Sequence, residues 1–185
     1  DLTDADLLNF KALKSVRYGL YLDRNTFTNL DGLSNLKSVG GHLYLYENQL
    51  ANVDGLSKLT SVGSYFRLDG NQLTNVNGLS SLKSVGNYFY LQTNQLTNVD
   101  GLSSLTSVGS HFYLHRNALT NIDGLSALTS VGGNFHVGTN QISNLNGLTN
   151  LTTLGGYLAL YNNPNLTDMS GAENIVGAYG KVLYV

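Results

Sequence analysis

Cysteine and tryptophan are absent from this sequence, and proline and methionine occur once each. Without cysteine there is no disulfide framework, no thiolate nucleophile and no Cys-based metal site, so composition says little about the redox state of the compartment. Charge is scarce as well. Asp, Glu, Lys and Arg supply 12% of the residues, and ten Lys plus Arg against twelve Asp plus Glu leave a formal net charge of -2. No cluster of basic residues stands along the chain, which argues against nucleic acid and anionic membrane as partners. No apolar run approaches the roughly 18 residues needed to span a bilayer, so no membrane insertion is expected. The first stretch, DLTDADLLNF, lacks the positive start and apolar core of a secretory signal, so any export signal is expected to have been removed or never to have existed.

Repetition is what the sequence has in abundance. Asn25, Asn48, Asn71, Asn94, Asn117, Asn140 and Asn163 recur at a fixed spacing of 23, and self-similarity of this period marks a solenoid of stacked coils. The copy that starts at Asn94, NQLTNVDGLSSLTSVGSHFYLHR, has seven apolar positions: Leu96, Val99, Leu102, Leu105, Val108, Phe112 and Leu114. They are spaced by three or four and then by two, so most of each coil reads as loop or single helical turn and only its last part as strand. One unit is too short to bury seven apolar side chains, whereas stacked units bury them jointly; the 42% hydrophobic share is ample for that.

The fixed polar positions have physical reasons. The asparagine that ends each strand must turn the chain inward, and its amide can satisfy backbone groups of its own and the next coil. A second column, Asn29, Asn52, Asn75, Asn98, Asn121 and Asn144, reads as turn chemistry. Gly32, Gly55, Gly78, Gly101, Gly124 and Gly147 are expected to supply a turn conformation closed to residues with Cβ. No G-x-G-x-x-G or Walker-type loop is present, so these glycines are not phosphate cradles.

The segment FYLHRNAL, Phe112 to Leu119, carries the pattern L-x-L-x-x-N-x-L, and the chain thereby resembles the leucine-rich-repeat family. The phrase NQLTNVDGLSSLTSV is similar to the convex side of internalin-type bacterial surface repeats, and SVGGHLYLYEN and LGGYLALYNNPNLT resemble bacterial receptor L-domain repeats. The resemblance runs from about Lys11 to Ser170. It implies a repeat solenoid of 23-residue coils with one parallel β-sheet of about seven strands and an irregular or short 3-10 convex side. It also implies a bacterial protein at the cell surface or outside the cell.

Residues 1–185 read as one such domain, with 1–16 an N-terminal cap, 17–163 the repeats, and 164–185 a divergent last coil or C-terminal cap. In the first part Thr3 or Asp4 is a candidate helix cap, with Ala5, Leu8, Ala12 and Leu13 on one apolar side. In the last part SGAENIVGAYGKVLYV loses the leucine periodicity and finishes on an apolar, strand-like run. An uncovered last edge pairs with another chain, so a cap or a self-association contact is expected there.

Comparing the seven copies with one another separates positions that never change from positions that always do. The outward positions of the strand vary. The first column is Gly19, His42, Tyr65, Tyr88, His111, Asn134 and Tyr157; the middle one is Tyr21, Tyr44, Arg67, Tyr90, Tyr113, His136 and Ala159. The third is Asp23, Tyr46, Asp69, Gln92, His115, Gly138 and Tyr161, followed at the turn by Arg24, Glu47, Gly70, Thr93, Arg116, Thr139 and Asn162. All four histidines, nine of the twelve tyrosines and three of the four arginines fall in these columns. Tyrosine is favoured on any exposed strand, which would explain one aromatic column. Three columns mixing Tyr, His, Asp, Arg and Gln within an otherwise copied frame read instead as a binding surface, because Tyr and Arg dominate binding hot spots.

Catalytic and metal chemistry is thin. His111 and His115 stand about 13 Å apart on one strand, and His136 lies diagonally beside either. A pair with His136 could just reach a metal, but no carboxylate column adjoins it, so no metal or cofactor is expected. No Ser-His-Asp order is recognisable, and no enzyme is expected. Asp69 beside Arg67, and Glu47 beside Arg24, read as surface ion pairs, and Tyr44, Arg67 and Tyr90 as a cation-π sandwich across successive strands. Seven strands about 4.8 Å apart and five exposed residues give a face on the order of 500 Å², below the ~800 Å² that a standard protein interface takes from each side. Such a face suits a peptide or one protruding element of a protein, with a glycan as the alternative and a structural spacer as the second alternative.

Overall fold

The computed structural model describes residues 2–175. The copied frame folds into coils that each contain two very short strands and one 3-10 turn. The first coil runs through Ser15–Val16, Leu20–Tyr21 and the turn Asp31–Leu33, and the pattern recurs to Asn146–Leu148, Thr153–Leu154 and Leu158–Ala159. Strands of successive coils pair in parallel, Ser107 opposite Ser130 and Phe112 opposite Phe135, so the register is the repeat itself.

Two seven-stranded sheets result, where the sequence suggested one. The second is made by the Ser–Val pairs. In it Val108 points into the core and Gly109 donates its N–H to the Val85 carbonyl at 2.9 Å. A strand of two residues is too short to display a period, so the pairing follows from coil stacking alone.

All seven apolar positions of the copy starting at Asn94 are at most 1% exposed. Phe66, Phe89, Phe112 and Phe135 form a continuous stack with centroids 5.1, 5.1 and 4.9 Å apart and rings within 5° of parallel. Each such ring contributes roughly 1.5–3 kcal/mol by burial.

The asparagine column ties the coils together, reaching back to the preceding coil and not forward to the next. The Asn71 amide donates to Leu68 of its own coil at 3.0 Å and to Leu45 of the coil before at 2.9 Å, while its oxygen accepts from the Leu50 N–H at 3.2 Å. The second asparagine column does close turns: Asn98 accepts from the Asp100 N–H at 3.1 Å, which starts the turn Asp100–Leu102.

The glycines that open these turns are required for a different reason from the one their sequence position suggests. None of Gly32, Gly55, Gly78, Gly101, Gly124 and Gly147 has a positive φ. A Cβ on Gly101 would instead fall 1.9 Å from the Val76 carbonyl oxygen. The left-handed conformation is found where the face strands end, at Arg24, Glu47, Gly70, Thr93, Arg116, Thr139 and Asn162.

At the N-terminus Thr3 precedes the helix Asp4–Leu7, its N–H and hydroxyl both donating to the Asp6 carboxylate at 2.9 and 2.7 Å. The apolar side predicted there is corrected. Leu7 is the buried residue, at 1% exposure, whereas Leu8 is 44% exposed and, of the four residues expected on that side, Leu13 alone packs on the core among the described residues. The α-turn gives way to a 3-10 turn at Leu8–Phe10, which rotates the face. Leu7 thus stands in for a preceding coil, since its carbonyl is approached by Gly32 as that of Leu30 is by Gly55. At the other end the turn Ser170–Ala172 continues the stack. The apolar run expected to cap it, 176–185, lies outside the described residues.

Candidate binding face

The strands from Leu20–Tyr21 to Leu158–Ala159 hold their inward residues in the core and turn the three variable columns to one side. The stacking pitch brings neighbouring rings into contact along the whole face. Tyr21 meets Tyr44 at 5.2 Å, His42 meets Tyr65 at 4.8 Å, Tyr65 meets Tyr88 at 4.7 Å and Tyr88 meets His111 at 4.8 Å. The chain of contacts continues through Tyr90 and Tyr113, which stack at 5.1 Å and 12°, to His136 at 5.0 Å and on to Tyr157 at 5.0 Å. Except for Tyr21, which is 58% exposed at the end of the row, these rings are half-buried by one another. Burial pushes the Tyr90 phenol up to about 12 and raises those of Tyr44 and Tyr113.

At one end sits a charged clamp. Arg67 forms a two-pronged pair with Asp69 at 2.9 and 2.6 Å, and its guanidinium lies 3.8 Å from the Tyr46 ring centroid, 5.2 Å from Tyr90 and 5.9 Å from Tyr44. The sandwich read from the sequence is present, with Tyr46 as an additional and closer wall. The expected surface pair is not one, however: the Arg67 and Asp69 side chains are 28% and 12% exposed, and Tyr46 itself is 8% exposed. Arg24 and Glu47 do make a surface pair, at 2.9 Å.

At the other end the histidines gather. His115 and His136 have ring centroids 5.7 Å apart, and His136 Nε2 lies 2.8 Å from the Tyr157 hydroxyl. Three buried polar atoms there, Gln92 Oε1, His115 Nδ1 and His136 Nδ1, have no hydrogen-bond partner among the described residues. Arg116 stands apart, exposed at the turn beyond the strand. No group of three His, Cys, Asp or Glu among the described residues is placed to hold a metal.

One role was not read from the sequence. His111 Nδ1 accepts the Asn134 N–H at 2.8 Å, the Asn134 side chain accepts the Tyr157 N–H at 3.2 Å, and His42 Nδ1 accepts the Tyr65 N–H at 3.4 Å. The first column therefore links coils as well as facing outward. Its signal was available in the recurrence of short acceptor side chains, His and Asn, at that position.

Burial, reinforced by the charges of His115 and His111, depresses the His136 imidazole to about 4, and burial lowers those of His115 and His111 too. Unfolded chains bind these protons near the ordinary value of about 6.5, so between roughly pH 6.5 and 4 the unfolded state holds more protons and stability falls as the pH is lowered. Discounted for the partial exposure of the ring, the His136 share is about 1–2 kcal/mol. Urea unfolding at pH 7 and pH 4.5 should show this loss, and His136→Gln should remove most of it. Asp4 and Asp6, whose carboxyls are lowered, lose their contribution only below about pH 4 and do not confuse the comparison.

Coils of this length, stacked in parallel with an asparagine at each strand end and leucines inside, define a leucine-rich-repeat solenoid. The model of the BspA-type leucine-rich-repeat region matches residues 37–167 in six copies, and the chain belongs to that family. Among solved structures it is similar to internalin C2 from Listeria monocytogenes, with 27% identity, a TM-score of 0.55, and coverage of 95% of this chain and 81% of that one. An internalin (InlF) from the same organism matches at 18% identity and a TM-score of 0.41, covering 94% of this chain and 68% of that one. A leucine-rich-repeat protein from Leptospira interrogans matches at 18% and 0.38, covering 91% and 58%. No curated protein matches significantly.

Proposed function

We propose that the chain is a non-enzymatic recognition module that binds a protein or peptide through its variable strand face, as part of a bacterial protein displayed at or beyond the cell surface. One observation carries this reading: the side chains that differ between copies form a single connected layer of rings, while the rest of each coil is copied. Leucine-rich repeats of the internalin type are in general protein-interaction modules.

The ring geometry favours a protein over a glycan. Sugars stack on bare aromatic faces, but Tyr90 and Tyr113 cover each other's faces and Arg67 lies over Tyr90, so these two rings leave a sugar little bare face and offer a ligand the remaining tips of amphipathic side chains. Amphipathic tips of this kind suit the mixed polar and apolar surface of a peptide strand or a protruding loop. The test is the triple substitution of Tyr88, Tyr90 and Tyr113 by alanine, assayed in parallel by protein pull-down and glycan array. Loss of a protein partner by at least tenfold is expected; retained binding in the triple variant rules out the face for either ligand.

A further inference from the structure

The flank formed by the Ser–Val sheet and the residues just before it carries a charge pattern that the linear sequence conceals. All five lysines of the described residues lie there, though they are spread from position 11 to 83. Lys14, Lys37 and Lys83 share one column of four successive coils, with Thr60 between them, as the backbone bonds from Lys37 to Lys14 (2.8 Å), Thr60 to Lys37 (2.8 Å) and Lys83 to Thr60 (2.9 Å) show. In the next column Asn35 donates to the Lys11 carbonyl at 2.9 Å and accepts from the Lys58 ammonium at 2.7 Å. Arg17 stands where the following coils have Gly40 and Gly63, and with Ser15, Ser38 and Ser61 it lines a shallow depression of about 480 Å³.

These six cations are exposed. The two ion pairs among the described residues, Arg24–Glu47 and Arg67–Asp69, use none of them. Carboxylates are missing from the segments that carry these cations, since 7–22, 32–46, 55–68 and 78–99 contain no Asp or Glu; the exposed Asp31 and Asp54, which open the preceding turns, make no ion pair with them. A chain of net charge -2 has thus gathered the lysines of its described residues on one side. Coils about 4.8 Å apart place Lys14 and Lys37 within one Debye length of about 8 Å at physiological salt, so their potentials add, and set Lys83 about 14 Å from Lys14, a span that one polymer bridges.

We infer that this flank binds a linear polyanion bearing phosphate or sulfate groups, with Lys14, Lys37 and Lys83 as its main contacts. The cations are spread across coils and solvated, which matches repeated charges along a polymer better than one compact anion held in a pocket. Binding of this kind releases counterions, and the logarithm of the affinity falls with the logarithm of salt by roughly 0.7 per phosphate contacted on a flexible strand. The flank and the tyrosine face lie on different sheets, so the module would hold an anionic matrix with one and a partner with the other.

The test titrates the chain with polyphosphate and, separately, with heparin at 50 and 200 mM NaCl. The triple variant Lys14→Gln, Lys37→Gln, Lys83→Gln should bind at least tenfold more weakly at the lower salt, with a salt slope smaller by about two. The corresponding Lys→Arg triple should bind as the parent does, and all three proteins should melt alike. Binding to one polymer only supports the proposal and identifies the source as phosphate or sulfate. Absence of binding to both, or a glutamine triple that binds as well as the parent, overturns it. The Tyr88, Tyr90, Tyr113 alanine variant should keep polyanion binding, so this inference stands or falls separately from the function proposed for the face.

Discussion

Asn71→Ala is expected to destabilise the solenoid by about 3–5 kcal/mol. The side chain is 8% exposed and makes three hydrogen bonds to backbone, two as donor and one as acceptor. The two carbonyls it serves keep one donor each, because Leu45 also receives Asn48 and Leu68 also receives Asn94. The Leu50 N–H keeps none among the described residues and is buried. Two lost bonds at about 1 kcal/mol each and one orphaned buried donor at about 1–3 kcal/mol give the figure. Asn71→Asp should be no better, since it keeps the acceptor and sets a carboxylate against two carbonyl oxygens. Asn98→Ala is the control: it removes one bond at a half-buried turn and should cost about 1 kcal/mol. Urea unfolding followed by far-UV circular dichroism measures all three, and equal midpoints for the Asn71 and Asn98 variants would refute the ladder argument.

That ladder shows which parts of the structure were legible beforehand and which were not. Side chains that obey a period are visible in a sequence, so Leu96 through Leu114, the asparagine columns and the side on which Tyr44, Arg67, Tyr90 and His136 stand could all be read from spacing. Relations between coils are visible only where the outward columns line up, as for Arg24 with Glu47 and Arg67 with its tyrosines; elsewhere residues 23 apart become neighbours only on stacking, and those relations are hidden. The Ser–Val sheet, the lysine flank and the backward direction of the Asn71 bonds all belong to this class. So does the half-burial of the face. Tyr46 and Asp69 read as outward residues, and outward they are, yet the width of an aromatic ring approaches the pitch of the coils. The rings consequently cover one another and whatever lies beneath them. Variation between copies identified the surface; the energetics of that surface came from the pitch.

The pitch itself depends on glycine, and Gly101→Ala is expected to cost at least ~3 kcal/mol as backbone overpacking. The added carbon would lie 1.9 Å from the Val76 oxygen, 2.3 Å from its carbonyl carbon and 2.7 Å from Asn77 Cα, all backbone atoms with no rotamer to yield. Adjacent coils cannot separate by the missing ångström without stretching sheet bonds such as Phe89 N–H to the His111 carbonyl and Gly109 N–H to the Val85 carbonyl, both 2.9 Å. Gly70 is the instructive contrast. Its φ of +67° is the value that usually demands glycine, but a Cβ there meets nothing closer than the flexible Glu47 Cγ at 3.3 Å. Arg24, Thr93 and Arg116 adopt the same left-handed conformation at the equivalent position of other coils, at φ of 56–57°. Gly70→Ala should therefore cost no more than about 1 kcal/mol. Thermal melts of the two variants should differ widely, and near-UV circular dichroism should show the tyrosine layer loosened in Gly101→Ala alone, since ring contacts and coil contacts are set by one spacing. Two alanine variants that melt together would mean that turn conformation, and not the approach of one coil to the next, is what these glycines serve.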